Sequence, residues 1–221
     1  MKNLIFKEFK LSVHPLTYLM LGLIALASLS GIGSFYPLCM FGVLYTFPFM
    51  GIKKGVTNND LYYSLLLPVR REDVVKARIA STTVLQMIYT VLVVGLSGVA
   101  LLIPNEIPLP QLSLFQPFAI ISVCLITYTI FDFIYIPWFY HNGKEVVWNM
   151  LVGVIVSAIV SAALCVVPAF MPQFYGMLTI GSENANYFLQ IGIFVASLAI
   201  YIGCKYAILK ISTKNLLKLD F

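Results

Sequence analysis

From Leu11 to Ile52 the chain carries no Lys, Arg, Asp or Glu. As a single helix, Pro15 to Ile52 would be about 57 Å long, nearly twice the roughly 30 Å of a bilayer's hydrocarbon core. The run must therefore fold back, and Gly31, Gly33, Ser34 and Pro37 mark the place, since glycine and proline loosen a helix there. Two spans follow, 15–34 and 35–52. Four further apolar runs, 79–103, 118–140, 146–167 and 187–209, bring the expected total to six. Composition agrees, with 60% hydrophobic and 10% charged residues, where a soluble domain carries about 25% charged. Six spans of about 20 residues leave only short connections. The expectation is one all-α membrane domain over residues 1–221.

The basic residues test that count. Lys2, Lys7 and Lys10 precede the first span; Lys53, Lys54, Arg70, Arg71, Lys76 and Arg78 lie between the second and third; Lys144 follows the fourth; Lys205, Lys210, Lys214 and Lys218 lie at or after the end of the sixth. These are all 14 basic residues, and six spans put every one on the same side. The opposite connections, Pro104 to Pro117 and Pro168 to Asn186, hold only Glu106 and Glu183, read as outer-surface carboxylates. By the positive-inside rule both termini are expected in the cytoplasm of a cell-membrane protein. The net charge of +5 is then an orientation and docking signal, with no nucleic acid required. Ala25-Leu26-Ala27 has the form of a leader cleavage site, but the apolar run continues well past it, so the first span is expected to be retained. Cys39, Cys124, Cys165 and Cys204 lie in apolar runs without metal-ligand or CxxC spacing and read as buried thiols.

Two elements outside the bilayer stand out. In residues 1–14, Asn3, Lys7, Lys10 and His14 form a helical stripe with Ile5, Phe6, Phe9 and Val13 mostly opposite, the pattern of an interfacial helix on the cytoplasmic leaflet. The plainer reading is a charged segment that orients the first span. In the second element, Asn59 or Asp60 can cap a helix and Pro68 disfavours helical geometry at Leu67. Asp60 to Leu66 is thus a short helix whose Leu61/Leu65 and Tyr62/Leu66 pairs at i, i+4 form an apolar face too short to span. Lipid headgroups, the chain's own helices or a groove on a soluble subunit would each cover it. After Pro68, Arg70 and Arg71 start a new helix, with Glu72 and Lys76 spaced for an ion pair. On the outer side, 168–186 is long enough for a small irregular or re-entrant element.

The run from Asn59 through Leu65-Leu66-Leu67-Pro68-Val69-Arg70-Arg71 to Arg78 resembles a segment found after the second span of small ABC-2 type transporter permeases. Ile136-Pro137-Trp138-Phe139-Tyr140-His141-Asn142-Gly143-Lys144-Glu145 is similar to that family's proline-containing exit from the fourth span and the loop that follows. The extra leucine before Pro68, Arg70 directly after Val69, and Asn142 in place of an aromatic depart from the pattern. The resemblance implies that Asp60, Leu61, Tyr62, Leu65, Leu66, Arg70 and Arg71 form a coupling element docked on a separate cytoplasmic ABC ATPase. It implies that two permeases pair, and that ATP and magnesium are held by the partner. The subfamily it suggests exports amphipathic cytolytic peptides or confers immunity to antimicrobial peptides. Lipids and hydrophobic drugs remain alternative cargoes, because a cavity lined by aromatic and aliphatic side chains suits all three.

The chain has no G-x-x-x-x-G-K-[ST] loop, so hydrolysis by the P-loop route is not expected of it. His14 and His141 are its only histidines, and no HExxH or G-x-S-x-G motif occurs, which argues against catalysis. A proton-coupled carrier or scaffold is the remaining rival; a carrier would show more intramembrane charge and internal repeats. Asp132 is the one acidic residue inside an expected span. Exposed at the bilayer centre it would cost about 2.5–3.5 kcal/mol, so it needs a companion. It reads either as a pathway or gating residue, or as a structural group bonded to a tyrosine, a threonine or a basic residue, with Lys76 or Arg78 in reach if the third and fourth spans pack together.

Overall fold

The computed structural model describes residues 2–9, 69–100, 117–141, 146–171, 177 and 186–218. Five helices are present there and no strand: α1 (Lys2–Lys7), α2 (Arg71–Ala100), α3 (Pro117–Phe139), α4 (Val146–Ala169) and α5 (Tyr187–Lys218). The expected spans 15–34 and 35–52, and the short helix Asp60 to Leu66, lie outside the described residues. So does most of 168–186.

Two described helices, Ile121–Phe139 and Tyr187–Lys218, are long and apolar enough to cross a bilayer, and Trp148–Leu164 is a shorter apolar stretch. α2 starts at Arg71, one turn past Pro68, and runs unbroken into the apolar stretch that follows. Its first turn is held by Asp73 N–H donating to Arg70 O at 2.9 Å and by the Lys76–Glu72 pair at 2.8 Å, which the i, i+4 spacing anticipates. The bonded Lys76 ammonium, by hydrogen bond first and charge second, holds the Glu72 carboxyl below the usual carboxylate range. The pair's small contribution is present above that range and is lost as pH falls through the depressed value.

α5 continues beyond the expected end of its span at 209, out to Lys218. Helical geometry does not end with the apolar run: Lys210 and Lys214, both exposed, continue the same register. At its start, Asn186 Oδ1 accepts Leu189 N–H at 3.2 Å, an N-cap, and Gln190 Nε2 donates to Met177 O at 2.7 Å.

α3 is the central helix, packed against α5 and α4 and more lightly against α2. Its i, i+4 aromatics Phe131, Tyr135 and Phe139 form a ladder, with Phe131 and Tyr135 stacked at 5.6 Å and Tyr135 and Phe139 tilted at 6.0 Å. Pro137 sits inside α3, and its carbonyl accepts a bond from Asn215 Nδ2 of α5 at 3.0 Å, so α5 satisfies an acceptor at the end of α3. α4 approaches through Gly153, where a Cβ would lie 3.3 Å from the Phe131 ring.

The helices are arranged inside out relative to a soluble bundle. α5 buries Gln190, Ser197, Tyr201 and Ser212, while Phe188 (90% exposed), Val195 and Ile202 face outward. α4 likewise buries Asn149, Ser157 and Ser161 and exposes Trp148, Ile155 and Ile159. Water would reverse that arrangement; a hydrocarbon solvent favours it, because polar groups then seek one another. The hydroxyls comply locally: Thr90, Ser122, Thr127, Thr129 and Thr213 each donate to the carbonyl four residues back.

α1 departs from the expected face. Phe6 points outward, and Leu4 and Glu8 are buried instead, because α1 packs on α2 and Glu8 finds Arg78 there. Cys124 is buried and Cys204 half-buried, neither in a disulfide.

Gly153→Leu should lower stability by about 1–3 kcal/mol through overpacking against Phe131. Gly203→Leu, with nothing within 4 Å of its Cβ position, should not. Thermal unfolding of the two purified variants checks the contrast.

Candidate functional site

Asp132 has no exposed surface. Its Oδ2 accepts Lys205 Nζ at 2.7 Å and Gln86 Nε2 at 2.8 Å. Gln86 completes a ring: its Oε1 accepts Tyr201 O–H at 2.8 Å and Lys205 Nζ at 3.3 Å. Tyr201 and Lys205, one turn apart on α5, also meet each other, with the ammonium 5.1 Å from the ring centroid. The cluster therefore takes one residue from α2, one from α3 and two from α5. Asp132 Oδ1 has no hydrogen-bond partner among the described residues.

The sequence-based expectation of Lys76 or Arg78 as the companion of Asp132 is not met. Lys76 is engaged with Glu72. Arg78, itself buried, lies 3.4 Å from Glu8 through Nε and Oε2 and stacks on Phe139 at 4.5 Å. The companion is Lys205, which the apolar pattern assigns to the membrane boundary because one lysine barely dents a 32-residue helix. A usable signal existed: Lys205 stands within the expected span 187–209, just as Asp132 stands within 118–140, and a lone charge in each of two spans is best neutralised by the other. Gln86 and Glu8 were missed too, since nothing local marks a single polar residue as a partner.

A buried ion pair is weak evidence of net stabilisation, because desolvation offsets the Coulombic gain, yet removing one partner strands the other. The second hydrogen bond, from Gln86, makes the arrangement directional, so the cluster sets how α2, α3 and α5 sit together. No group of metal-ligating side chains occurs among the described residues.

A family model described as "ABC-2 family transporter protein" matches residues 3–215, nearly the whole chain. The chain belongs to that family. No curated protein and no solved structure matches it. Membership makes the chain a membrane-embedded transporter component and carries with it association with an ABC ATPase subunit in general.

Of the residues that the resemblance implies for a coupling element, few lie in the described part. Asp60, Leu61, Tyr62, Leu65 and Leu66 lie outside it. Arg70 and Arg71 are exposed at the start of α2, and Arg71 Nη1 makes a long bond, 3.5 Å, to Leu216 O near the end of α5. The entry to α2 is thus tied to the same helix that carries Lys205.

Lys205→Met, which strands Asp132, should cost about 3–5 kcal/mol. The double variant with Asp132→Asn should recover most of that loss, together with substrate-stimulated ATPase activity of the assembled transporter. Recovery of thermal stability without recovery of activity would instead give the carboxylate a direct part in the pathway.

Proposed function

We propose that this chain is the six-span permease half of an ATP-driven exporter, with both termini in the cytoplasm and a second permease copy beside it. The family match over residues 3–215 carries the reading. The absence of a P-loop from the sequence supports a separate energy source, and the single-sided distribution of the basic residues supports the orientation. The outward apolar faces of α4 and α5 suit lipid or a neighbouring permease.

Energy enters at the segment before α2. Closure of the partner ATPases on ATP and magnesium moves the Asp60 to Leu66 helix, and Arg70 and Arg71 pass that displacement directly into α2. α2 carries Arg78 and Gln86, which grip α1, α3 and α5. A shift of α2 along its axis therefore reaches α1, α3 and α5 together. Amphipathic peptides of cytolytic or antimicrobial type are the proposed cargo, on the subfamily that the overall resemblance to small ABC-2 permeases suggests.

Replacing Leu61 and Leu65 with aspartate should abolish copurification with the ATPase and leave membrane insertion intact; unchanged copurification would remove the docking role from this helix. In the assembled transporter, an amphipathic peptide should raise ATP hydrolysis at least a few-fold. Stimulation by phospholipid or a hydrophobic drug, with none by peptide, would reassign the cargo.

A further inference from the structure

Where α3 ends and α4 begins, the structure holds an open cavity of about 620 Å³ that the polar cluster does not use. Phe133, Trp138, Trp148, Asn149, Ile211 and Asn215 line it. Three features define its chemistry. Both tryptophans of the chain are here, each at least half exposed, and tryptophan concentrates at the headgroup level of a bilayer. Asn149, next to Trp148 in the first turn of α4, is buried and still lines the cavity, so a polar group stands beside the apolar wall of Phe133 and Ile211. Finally, Ile211, Lys214, Asn215 and Lys218 recur at i, i+3, i+4 and i+7 on one face of α5, with both lysines exposed, so the face that supplies Ile211 and Asn215 to the cavity also carries two ammonium groups beside them.

An apolar wall, two carboxamides and an adjoining basic face match the parts of one ligand: acyl chain, glycerol ester and phosphate. We propose that this cavity is a binding site for an anionic phospholipid, phosphatidylglycerol in kind, from the leaflet on the lysine-bearing side. A zwitterionic lipid fits the wall equally well but brings its own cation to that basic face, so the lysines select for the anionic headgroup. The inference rests on the membrane reading of α3 and α5 and is independent of the cargo. It also touches the frame of the molecule: Asn215, in the cavity wall, holds Pro137 at the end of α3, so a bound lipid stiffens the α3–α5 contact.

The two tryptophans make the site report on itself. The full chain is reconstituted in phosphatidylcholine vesicles, and phosphatidylglycerol or phosphatidylcholine brominated on the upper acyl chain is titrated in while tryptophan emission is followed. Brominated phosphatidylglycerol should quench at a mole fraction lower by on the order of ten-fold, as two lysines near the surface supply. Lys214→Gln with Lys218→Gln, both at exposed positions, should abolish that preference. Lys53→Gln with Lys54→Gln, which removes equal charge from the chain without altering α5, should leave it in place. Equal quenching by the two lipids overturns the proposal, as does an equal loss of preference in both double variants, which would indicate only a diffuse surface field. Saturable emission changes with soluble glycerophosphate would make this a site for free phosphate esters. Changes with an amphipathic peptide in lipid lacking phosphatidylglycerol would make it a cargo site. Either result overturns the lipid assignment.

Discussion

A carboxylate in a hydrocarbon solvent has to be neutralised, and the way Asp132 meets that requirement organises the other helices. Its Oδ2 holds an ammonium from α5 and a carboxamide from α2, so three helices are placed by one oxygen atom. Apolar packing between lipid-facing helices is permissive, because a leucine gains little by leaving lipid for protein. Directional polar contacts are what distinguish one arrangement from its neighbours. Here they occur at two levels along α2: Gln86 joins it to α3 and α5, and Arg78, eight residues nearer its start, joins it to α1 and Phe139. Between these levels the aromatic ladder of α3 and the close approach at Gly153 fill the space.

This placement bears on how a transporter of the ABC-2 family receives work from outside its own chain. α2 begins where the expected docking segment ends, and it carries polar attachments at Arg78 and Gln86. α5 is held at two heights, by the cluster at Lys205 and, about three turns further on, by the neighbouring Asn215 on Pro137 and Leu216 near Arg71. Motion delivered to the start of α2 thus reaches its neighbours through these polar contacts as well as through the buried Val75, Leu85 and Tyr89. The cavity beside Trp138 and Trp148 is lined in part by Pro137 and Asn215, the pair that joins the end of α3 to α5.

Much of the architecture was legible in residue order. Hydropathy placed α3, α4 and α5 to within a few residues at most boundaries, because a run of apolar side chains long enough to cross lipid has few other uses. The Glu72–Lys76 pair was legible because helix geometry alone brings those positions together. Asp132 stood out as a charge in an apolar run, but its companion was misplaced. Proximity to the boundary favoured Lys76 and Arg78; the rotation of α5 about its own axis, invisible in a uniformly apolar sequence, brought in Lys205. The face of α1 failed for a related reason. The pattern opposed lysines to aromatics, while Glu8, the acid of that helix, was drawn inward by Arg78.

By itself the sequence determined what must leave water, since that depends on composition along the chain and on the thickness of a bilayer. It also determined family membership, carried by residues 3–215 as a whole. Only the tertiary structure decided who neutralises whom. Partner choice among Gln86, Asp132, Tyr201 and Lys205, residues 46 to 119 positions apart across the network, depends on helix rotation and tilt, and those follow from the packing of all the helices at once.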